Sequence, residues 1–267
     1  MAISEQIMLL GKGLYSNIPD VLTLKSIPTA SELEYVSAEN FQQTMLDKIL
    51  PQSVEEKIDF YKLLDLDYQW ICRALRILNY GPYYTVNTIY CPNCGAVTGE
   101  SRVDLRNVDV KVLPDGFTND VVVSRDEFMD FDQDVHLHLL TVREVMDLQE
   151  DRLFKDPVTG KMNVELAEMC YMITSIGEQT HLVPSETRLI LKNQNKFSPA
   201  DYSILKSVAR QLTDYGLRIG GNCRCHKCNS KEAKFLALVD DKFFRPTLGD
   251  LRQWKHDRST GGDTNSQ

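Results

Sequence analysis

Four of the seven cysteines form two Cys-x-x-Cys pairs, whose residue type and spacing suit a metal ion. The first pair lies in YCPNCGA (Cys91 and Cys94) and the second in RCHKCNS (Cys225 and Cys228). One pair supplies half of the four thiolates that surround a structural zinc ion, and two pairs complete the tetrahedron. The sequence therefore predicts a four-cysteine zinc site whose two halves, Cys94 and Cys225, are 131 positions apart.

Two other residues of the second Cys-x-x-Cys turn are also candidate ligands. Cys223 and His226 flank Cys225 in the sequence. We favour Cys225 with Cys228, because this pair repeats the spacing of Cys91 and Cys94, and because Cys-x-Cys spacing is less common among zinc ligands. A shell of four cysteines leaves no open coordination position, so the predicted ion is structural rather than catalytic.

Each Cys-x-x-Cys turn, called a knuckle below, contains residues suited to a tight turn. Pro92 fixes the backbone early in the first knuckle, and Gly95 can adopt the positive φ that closes it. Asn229 holds the equivalent position in the second knuckle. Asparagine is the next-best residue for a left-handed conformation, so we expect the same turn in both.

The two knuckles occupy the same place in a repeated order of elements. In each copy a predicted helix ends in a Tyr-Gly pair and is followed by a strand, the knuckle and a second strand. The predicted helices cover 65–80 and 199–215. The predicted strands cover 83–89 and 101–105 in the first copy, and 217–220 and 234–239 in the second. We interpret this order as an internal pseudo-repeat.

The fold class predicted from these patterns is α+β, with duplicated helix–strand–knuckle–strand units forming a split four-cysteine zinc ribbon around a central α/β insert. Further predicted helices cover 32–36, 38–49 (ended by Pro51), 53–64, 141–154, 163–176 and 185–193, and further predicted strands cover 21–27, 121–123 and 135–140. The predicted regions are an N-terminal segment (1–20), a helical region with the first knuckle (21–106), the insert (107–197), the second helix–knuckle unit (198–250) and a flexible C-terminal tail (251–267).

The remaining histidines and cysteines favour structural roles. His136 and His138 alternate with leucines along a predicted strand, so both imidazoles face one side. A metal pair is possible there, but a half-solvated strand is the plainer interpretation. Cys72 and Cys170 lie in predicted helices among apolar residues, which is typical of buried thiols. The chain contains no phosphate-binding glycine loop, HExxH motif or nucleophile elbow, so we predict neither catalytic residues nor an enzyme.

Charge and composition narrow the classes of partner. A net charge of −8 disfavours a broad nucleic-acid-binding face. No apolar run approaches the ~18 residues of a membrane span. Seven cysteines, an odd number, indicate a reducing cytosol rather than a disulfide framework. Five basic residues around the second knuckle are interpreted as a solvated rim: Arg218, Arg224, Lys227, Lys231 and Lys234.

Four segments of the sequence share their pattern with one protein family. The first is LRILNYGPYYTVNTIYCPNCGAVTGESRVDL, with its helix, Tyr-Gly, strand, CPxCG and VDL. The others are VHLHLLTVREVMDL, CHKCNSKEAKFLALVDDKFFRP and the N-terminal LTLKSIPTASEL. Together these segments span residues 21–246, and they resemble the baseplate hub subunit family of T-even-like contractile-tailed bacteriophages. The second knuckle departs from the family pattern, because His226 replaces the proline and Asn229 the glycine.

The resemblance implies a late virion or tail-assembly protein, made in the cytoplasm of an infected bacterium, that acts as a hub subunit of the tail baseplate or as a hub-assembly factor. Its partners would be other baseplate and hub proteins, the tape-measure protein and the central spike, in a hetero-oligomeric assembly. Cys91, Cys94, Cys225 and Cys228 would hold Zn2+. The alternative is a zinc-ribbon factor that binds nucleic acid or a polymerase.

A protein that works by surface contact needs exposed aromatic anchors. The candidates are Tyr83, Tyr84, Phe243, Phe244 and Trp254. Core burial explains any one of them equally well, and we expect the adjacent pair Phe243 and Phe244 to place one ring inward.

Overall fold

The computed structural model describes residues 4–28, 40–97, 99–193, 197–237 and 239–260. The helix predicted at 32–36 lies outside these ranges. The helices are α1 (Phe41–Thr44), a π-helix (Met45–Ile49), α2 (Leu50–Ser53), α3 (Asp65–Tyr80), α4 (Val142–Glu150), α5 (Val164–Met172), α6 (Pro184–Lys192), α7 (Pro199–Thr213) and α8 (Leu248–Thr260). Short 3-10 turns cover Phe60–Lys62, Leu105–Asn107, Arg125–Glu127, Arg152–Phe154 and Asp241–Phe244.

Short strands complete the α+β fold that the sequence predicts. They are β1 (Ser4–Met8), β2 (Val21–Lys25), β3 (Tyr83–Val86), β4 (Ser101–Asp104), β5 (Asp109–Lys111), β6 (Val121–Val123), β7 (Val135–Leu137), β8 (Ile173–Ile176), β9 (Gln179–Thr180), β10 (Gly216–Cys223) and β11 (Ala233–Ala237). No helix among the described residues is both long and apolar enough to cross a membrane.

The chain forms two compact units. The first unit combines Met1–Phe60, Leu66–Lys111 and Gly216–Gln267, and the second combines Tyr61–Asp65 with Val112–Tyr215. In sequence, most of the second unit therefore falls between the two knuckles. Helix α7 belongs to the second unit, although its residues fall in the region 198–250 that was predicted as one unit with the second knuckle.

The first unit contains three small antiparallel sheets. Strand β1 pairs with β2, β3 pairs with β4, and β10 lies between β11 and β5. The last sheet joins β5, which precedes the inserted unit, to strands that follow it. The core includes apolar side chains of β2 and α3 with no exposed surface: Leu22, Leu24, Ile71 and Leu75.

The second unit is built on the sheet β6-β7-β8-β9 and helices α4 to α7. Val135 and Leu137 on β7 are fully buried, while His136 between them is partly exposed. Helix α4 begins with the predicted capping box, in which the Thr141 hydroxyl accepts from the Glu144 N–H and the Glu144 carboxylate accepts from the Thr141 N–H. These contacts confirm the predicted start of this helix.

Helix α3 positions the strand that leads to the first knuckle. It ends as predicted at Gly81, which has a φ of +80°. The buried guanidinium of Arg76 donates to the carbonyls of Gly81 and Tyr83, at 2.9 and 2.8 Å, and to that of Phe243 at 2.8 Å. One side chain thus ties the helix end and β3 to the turn Asp241–Phe244.

Helix α8 occupies most of the segment predicted as a flexible tail, so that prediction is wrong for residues 251–260; residues 261–267 lie outside the described ranges. Asp250, almost fully buried, accepts from the Thr85 hydroxyl at 2.7 Å and so fixes α8 to β3. The Trp254 ring lies against Gly81, so closely that a Cβ added to the glycine would be 2.4 Å from Cγ of the tryptophan. The tail lacks apolar runs, yet these polar and aromatic contacts hold a helix.

Pro51 does not end the helix before it, contrary to the prediction. The run continues to Ser53, and Pro51 lies in the first turn of α2. A proline inside a regular α-helix clashes with the carbonyl four residues earlier. Here the preceding turn is a π-helix, in which the Leu50 N–H donates to the carbonyl of Met45. The wider turn accommodates the proline ring.

Two other predicted helices are wrong in part because distant strands pair with them. The segment 53–64 is mostly not helical: Val54 forms an antiparallel bridge with Leu24, and the Glu55 N–H donates to the carbonyl of Thr23. The helix predicted at 163–176 stops at Met172, and the last four residues form β8 against β7. Their β-branched residues suit a strand.

Candidate metal centre

The first knuckle is a tight turn closed by two backbone hydrogen bonds. The Cys91 N–H donates to the carbonyl of Ala96, and the Gly95 N–H donates back to the carbonyl of Cys91, both at 2.9 Å. Gly95 has a φ of +67°, which places it in the left-handed region as predicted. The turn brings Cys94 alongside Cys91.

The second knuckle repeats the same two bonds. The Cys225 N–H donates to the carbonyl of Ser230 at 2.8 Å, and the Asn229 N–H donates to the carbonyl of Cys225 at 2.9 Å. Asn229 has a φ of +58°, so asparagine takes the conformation that glycine takes in the first knuckle. The prediction of one turn geometry from two different sequences is confirmed.

Backbone and side-chain contacts join the knuckles. Tyr90, just before the first knuckle, exchanges two hydrogen bonds with Lys234 of β11, at 2.8 and 2.7 Å. The His226 ring of the second knuckle lies against Gly99, where a Cβ would be 2.6 Å from the ring. Neither Tyr90 nor Gly99 is among the residues predicted to build the site. The predicted strand at 83–89 ends just before Tyr90, and this pattern is the signal that could have identified Tyr90 as a pairing residue.

The four predicted ligands come together. The Cys91 and Cys228 sulfurs are 3.6 Å apart, the Cys94 and Cys225 sulfurs are 3.7 Å apart, and all four lie within 4.8 Å of one another. In a tetrahedron with Zn–S bonds of about 2.3 Å, neighbouring sulfurs are about 3.8 Å apart. These distances fit a tetrahedral metal ion that both knuckles share, so the four cysteines could hold one such as zinc.

One side of the cluster is buried. Cys91 and Cys225 are 1% and 4% exposed and pack with Ile89 and Ala233, while Cys94 and Cys228 lie nearer the surface. A buried apolar base restricts the movement of the knuckles and excludes water from that side. This setting is typical of structural metal sites rather than of reactive thiols.

Hydrogen-bond donors favour the thiolate form of two ligands. The backbone N–H of Ser230, and then the side-chain amide of Asn93, lower the pKa of Cys228 to about 6. Backbone N–H groups of Cys228 and Lys227 lower the pKa of Cys225. Thiolates are the form that binds metal, so the knuckle backbones prepare these two sulfurs for an ion. Asn93 was not identified from sequence.

The pKa of Cys94 moves the other way. The backbone N–H of Ala96 lowers it, but burial and the three neighbouring thiols outweigh that donor and raise it to about 11. Four thiolates so close together repel one another, and a divalent cation would remove the repulsion. The donor set therefore suits a thiolate-binding metal.

Neither alternative ligand belongs to the group of four. Cys223, the last residue of β10, packs beside the cluster, and the His226 ring lies against Gly99. Burial raises the pKa of the Cys223 thiol, which disfavours its thiolate form. Among the candidate ligands of the second knuckle, the geometry therefore favours Cys225 with Cys228 over Cys223 and His226.

The other candidate residues are occupied elsewhere. His136 Nδ1 lies 2.8 Å from Asp120, and His138 Nε2 lies 3.1 Å from the carbonyl oxygen of Tyr171. Cys72 and Cys170 are fully buried in α3 and α5, as predicted. Within the described ranges, the four knuckle cysteines form the one group of three or more potential metal ligands.

Comparison of the chain with protein-family models, with curated proteins and with solved structures finds no match in any of the three.

Proposed function

We propose that the four cysteines hold one structural Zn2+ and that the chain is a structural rather than a catalytic protein. The observation that carries the metal proposal is the convergence of four sulfurs within 4.8 Å from two turns with identical hydrogen bonding. Four protein thiolates fill a tetrahedral shell, so the ion would have no position for a substrate or water.

The ion would act as a cross-link inside the first unit. That unit is assembled from three stretches of chain, and the two knuckles lie in the second and third of them. Cys91 and Cys228, which approach to 3.6 Å, are 137 positions apart. A metal bridge between stretches so remote in sequence would hold them together in the folded unit, which is a structural role.

We further propose that the chain is a hub subunit or assembly factor of a phage contractile-tail baseplate. The segment resemblance over residues 21–246 supports this proposal. A second support is the surface beside the metal centre, where Tyr90 and Val97 flank the first knuckle and are 51% and 61% exposed. A rigid turn that presents an exposed aromatic residue suits protein–protein contact.

The predicted anchors need correction. Of the five aromatic residues proposed, Tyr84, Phe243 and Phe244 are buried, with Phe243 and Phe244 0% and 1% exposed. Both rings of this pair lie inward, where we expected one, so neither phenylalanine is an exposed anchor. Phe243 packs edge-on against both Phe244 and Tyr84, with ring centroids 5.5 and 5.1 Å apart. These rings build the core beside β3.

Quantitative mass spectrometry of the phage particle tests the baseplate proposal. The chain should be found in purified tails or in baseplate-assembly intermediates, and a Tyr90→Ser substitution should weaken its incorporation without changing its zinc content. Met129→Ser, which changes an exposed apolar residue of the second unit, is the matched control. Absence of the chain from tails and from every assembly intermediate would refute the proposal.

The nucleic-acid alternative has one supporting observation: the five basic residues around the second knuckle are all exposed, namely Arg218, Arg224, Lys227, Lys231 and Lys234. Binding of the purified chain to DNA at several salt concentrations separates the two functions. Tight binding that weakens steeply with salt would overturn the baseplate proposal in favour of this one.

A further inference from the structure

The second unit contains a cavity of about 310 Å3 that the proposed function does not use. It lies between the turn Arg152–Phe154, the loop that follows it, α5 and α6. Leu153, Phe154 and Leu166 supply apolar walls. Ligand pockets measure about 300–1,000 Å3, so this cavity suits a small ligand.

The polar side of the cavity is strongly basic. Its cationic lining residues are Lys155, Lys161, Arg188 and Lys192. Within the part of the chain that the structure describes, no ion pair joins any of these four to a carboxylate. The four cations therefore give the cavity a positive potential that favours an anionic ligand.

The acidic lining residue does not neutralise this charge. The Asp156 carboxylate accepts from the N–H groups of Val158 and Thr159, at 3.0 and 2.6 Å, and from the Thr159 hydroxyl at 2.9 Å. These donors, first among them the Thr159 N–H, lower the pKa of Asp156. All three bonds fall on Oδ1, and the carboxylate stays ionised, so Asp156 offsets one of the four positive charges and leaves the lining with a net positive charge.

Arg188 shows the strongest sign of a missing partner. Its Nε is buried and finds no hydrogen-bond acceptor among the described residues. Because this Nε has almost no exposed surface, an anion in the open cavity would meet the guanidinium through its terminal nitrogens, and the unsatisfied Nε shows only that the protein itself leaves this cation poorly paired. The guanidinium lies 5.9 Å from the Phe154 ring centroid. Lys192 follows one helical turn later on α6, where like charges repel.

We propose that this cavity binds a phosphate monoester with a small, flat apolar body. The phosphate dianion would accept from the Arg188 guanidinium and from the lysine ammonium groups, since arginine and lysine recognise phosphate in complementary ways. The apolar body would pack on Phe154 and Leu166. Asn163 adds a donor, because its Oδ1 already accepts from the Leu166 N–H and its amide N–H groups remain for the ligand.

Phenyl phosphate is the probe for this site, titrated into the full-length protein by isothermal calorimetry. It should bind one per chain, more tightly than inorganic phosphate, which lacks the apolar body, and than benzoate, which carries a single charge. Arg188→Gln and Lys192→Gln should each weaken binding by about tenfold or more, the effect of losing one charge-assisted hydrogen bond.

Two charge-matched variants are the controls. Lys206→Gln changes a cation of the same unit that is paired with Glu165 at 2.7 Å, and Lys231→Gln changes one beside the second knuckle. Neither should alter the affinity. The proposal is overturned if phenyl phosphate fails to bind at about 10 mM, if benzoate binds equally well, or if the controls weaken binding as much as Arg188→Gln does. Since both pocket variants change partly or fully exposed side chains, circular dichroism should show that they fold.

Discussion

Removal of the proposed zinc ion gives the sharpest test of the metal centre. The change is made in two ways, by a chelator acting on the wild-type chain and by Cys228→Ser, which leaves three thiolates. Both should destabilise the first unit, because the ion links two stretches of chain that are 131 positions apart and are otherwise joined there by only a few contacts, such as the two hydrogen bonds between Tyr90 and Lys234. Zinc measured by atomic emission should be near one per wild-type chain and should be lost in the variant.

The size of the effect follows from the spacing of the ligands. Zinc stabilises the fold to the extent that it binds the folded chain better than the unfolded one. In the folded chain Cys91 and Cys228 are already 3.6 Å apart, whereas the unfolded chain must close a loop of 137 positions to build the same shell. Closing such a loop costs about 5 kcal/mol by chain-entropy arguments. Zinc should therefore contribute about that much, a large share of the 5–15 kcal/mol of a typical domain.

Urea unfolding followed by tryptophan fluorescence is the assay. Both tryptophans, Trp70 and Trp254, belong to the first unit, so their emission reports the unit that contains the centre. The free energy of unfolding should fall by about 5 kcal/mol when zinc is removed.

A fall of less than about 1 kcal/mol would refute this reasoning, because it would mean that each knuckle binds metal alone or that neither does. Cys223→Ser is the matched control: it removes a thiol beside the cluster and should keep one zinc per chain. Stoichiometric zinc in Cys225→Ser would instead show that Cys223 or His226 is the true ligand.

Further substitutions test the packing of the first unit and one ion pair of the second. Gly81→Ala should lower the free energy of unfolding by more than the ~1–2 kcal/mol that a positive φ costs an alanine, because the added Cβ also meets the Trp254 ring. Gly13→Ala is the matched control: Gly13 has a φ of +76° but no atom near the position of an added Cβ, so urea unfolding should show the cost of the backbone conformation alone. Arg76→Met should cost at least about 3 kcal/mol in the same assay, since it leaves three carbonyls without their donor. Lys206, and then Arg210, lower the pKa of Glu165 below its ordinary value of 4.5. The ionised carboxylate therefore contributes fully to stability above pH 4.5, and this contribution is lost as the pH falls through the lowered pKa. In Lys206→Gln, NMR titration should find the pKa of Glu165 raised toward 4.5.

Features that depend on a few neighbouring residues were predictable from the sequence. The knuckle turns, the Thr141–Glu144 capping box and the end of α3 at Gly81 each follow from local backbone preferences. The convergence of four cysteines was predictable as well, because a tetrahedral ion needs two pairs.

Features that depend on remote pairing were not predictable in the same way. The apolar spacing of residues 53–64 fits a helix, but a bridge between Val54 and Leu24 keeps the segment extended. Likewise the end of the helix predicted at 163–176 becomes β8 because β7 offers it a partner. Local patterns cannot distinguish these cases, since the competing hydrogen bonds come from residues far away in the chain.

The knuckles show how far the repeated order of elements extends into the structure. The turns themselves match bond for bond, and each is followed by a strand, β4 or β11. The helices before them differ in setting: all but the first residue of α3 belongs to the first unit, whereas α7 belongs to the second. Duplication of the whole helix–strand–knuckle–strand unit therefore stays a prediction, while equivalence of the turns is a property of the structure. Two equivalent turns, each supplying two thiolates, are what a shared tetrahedral ion requires, and this symmetry is the strongest physical argument for a structural metal here.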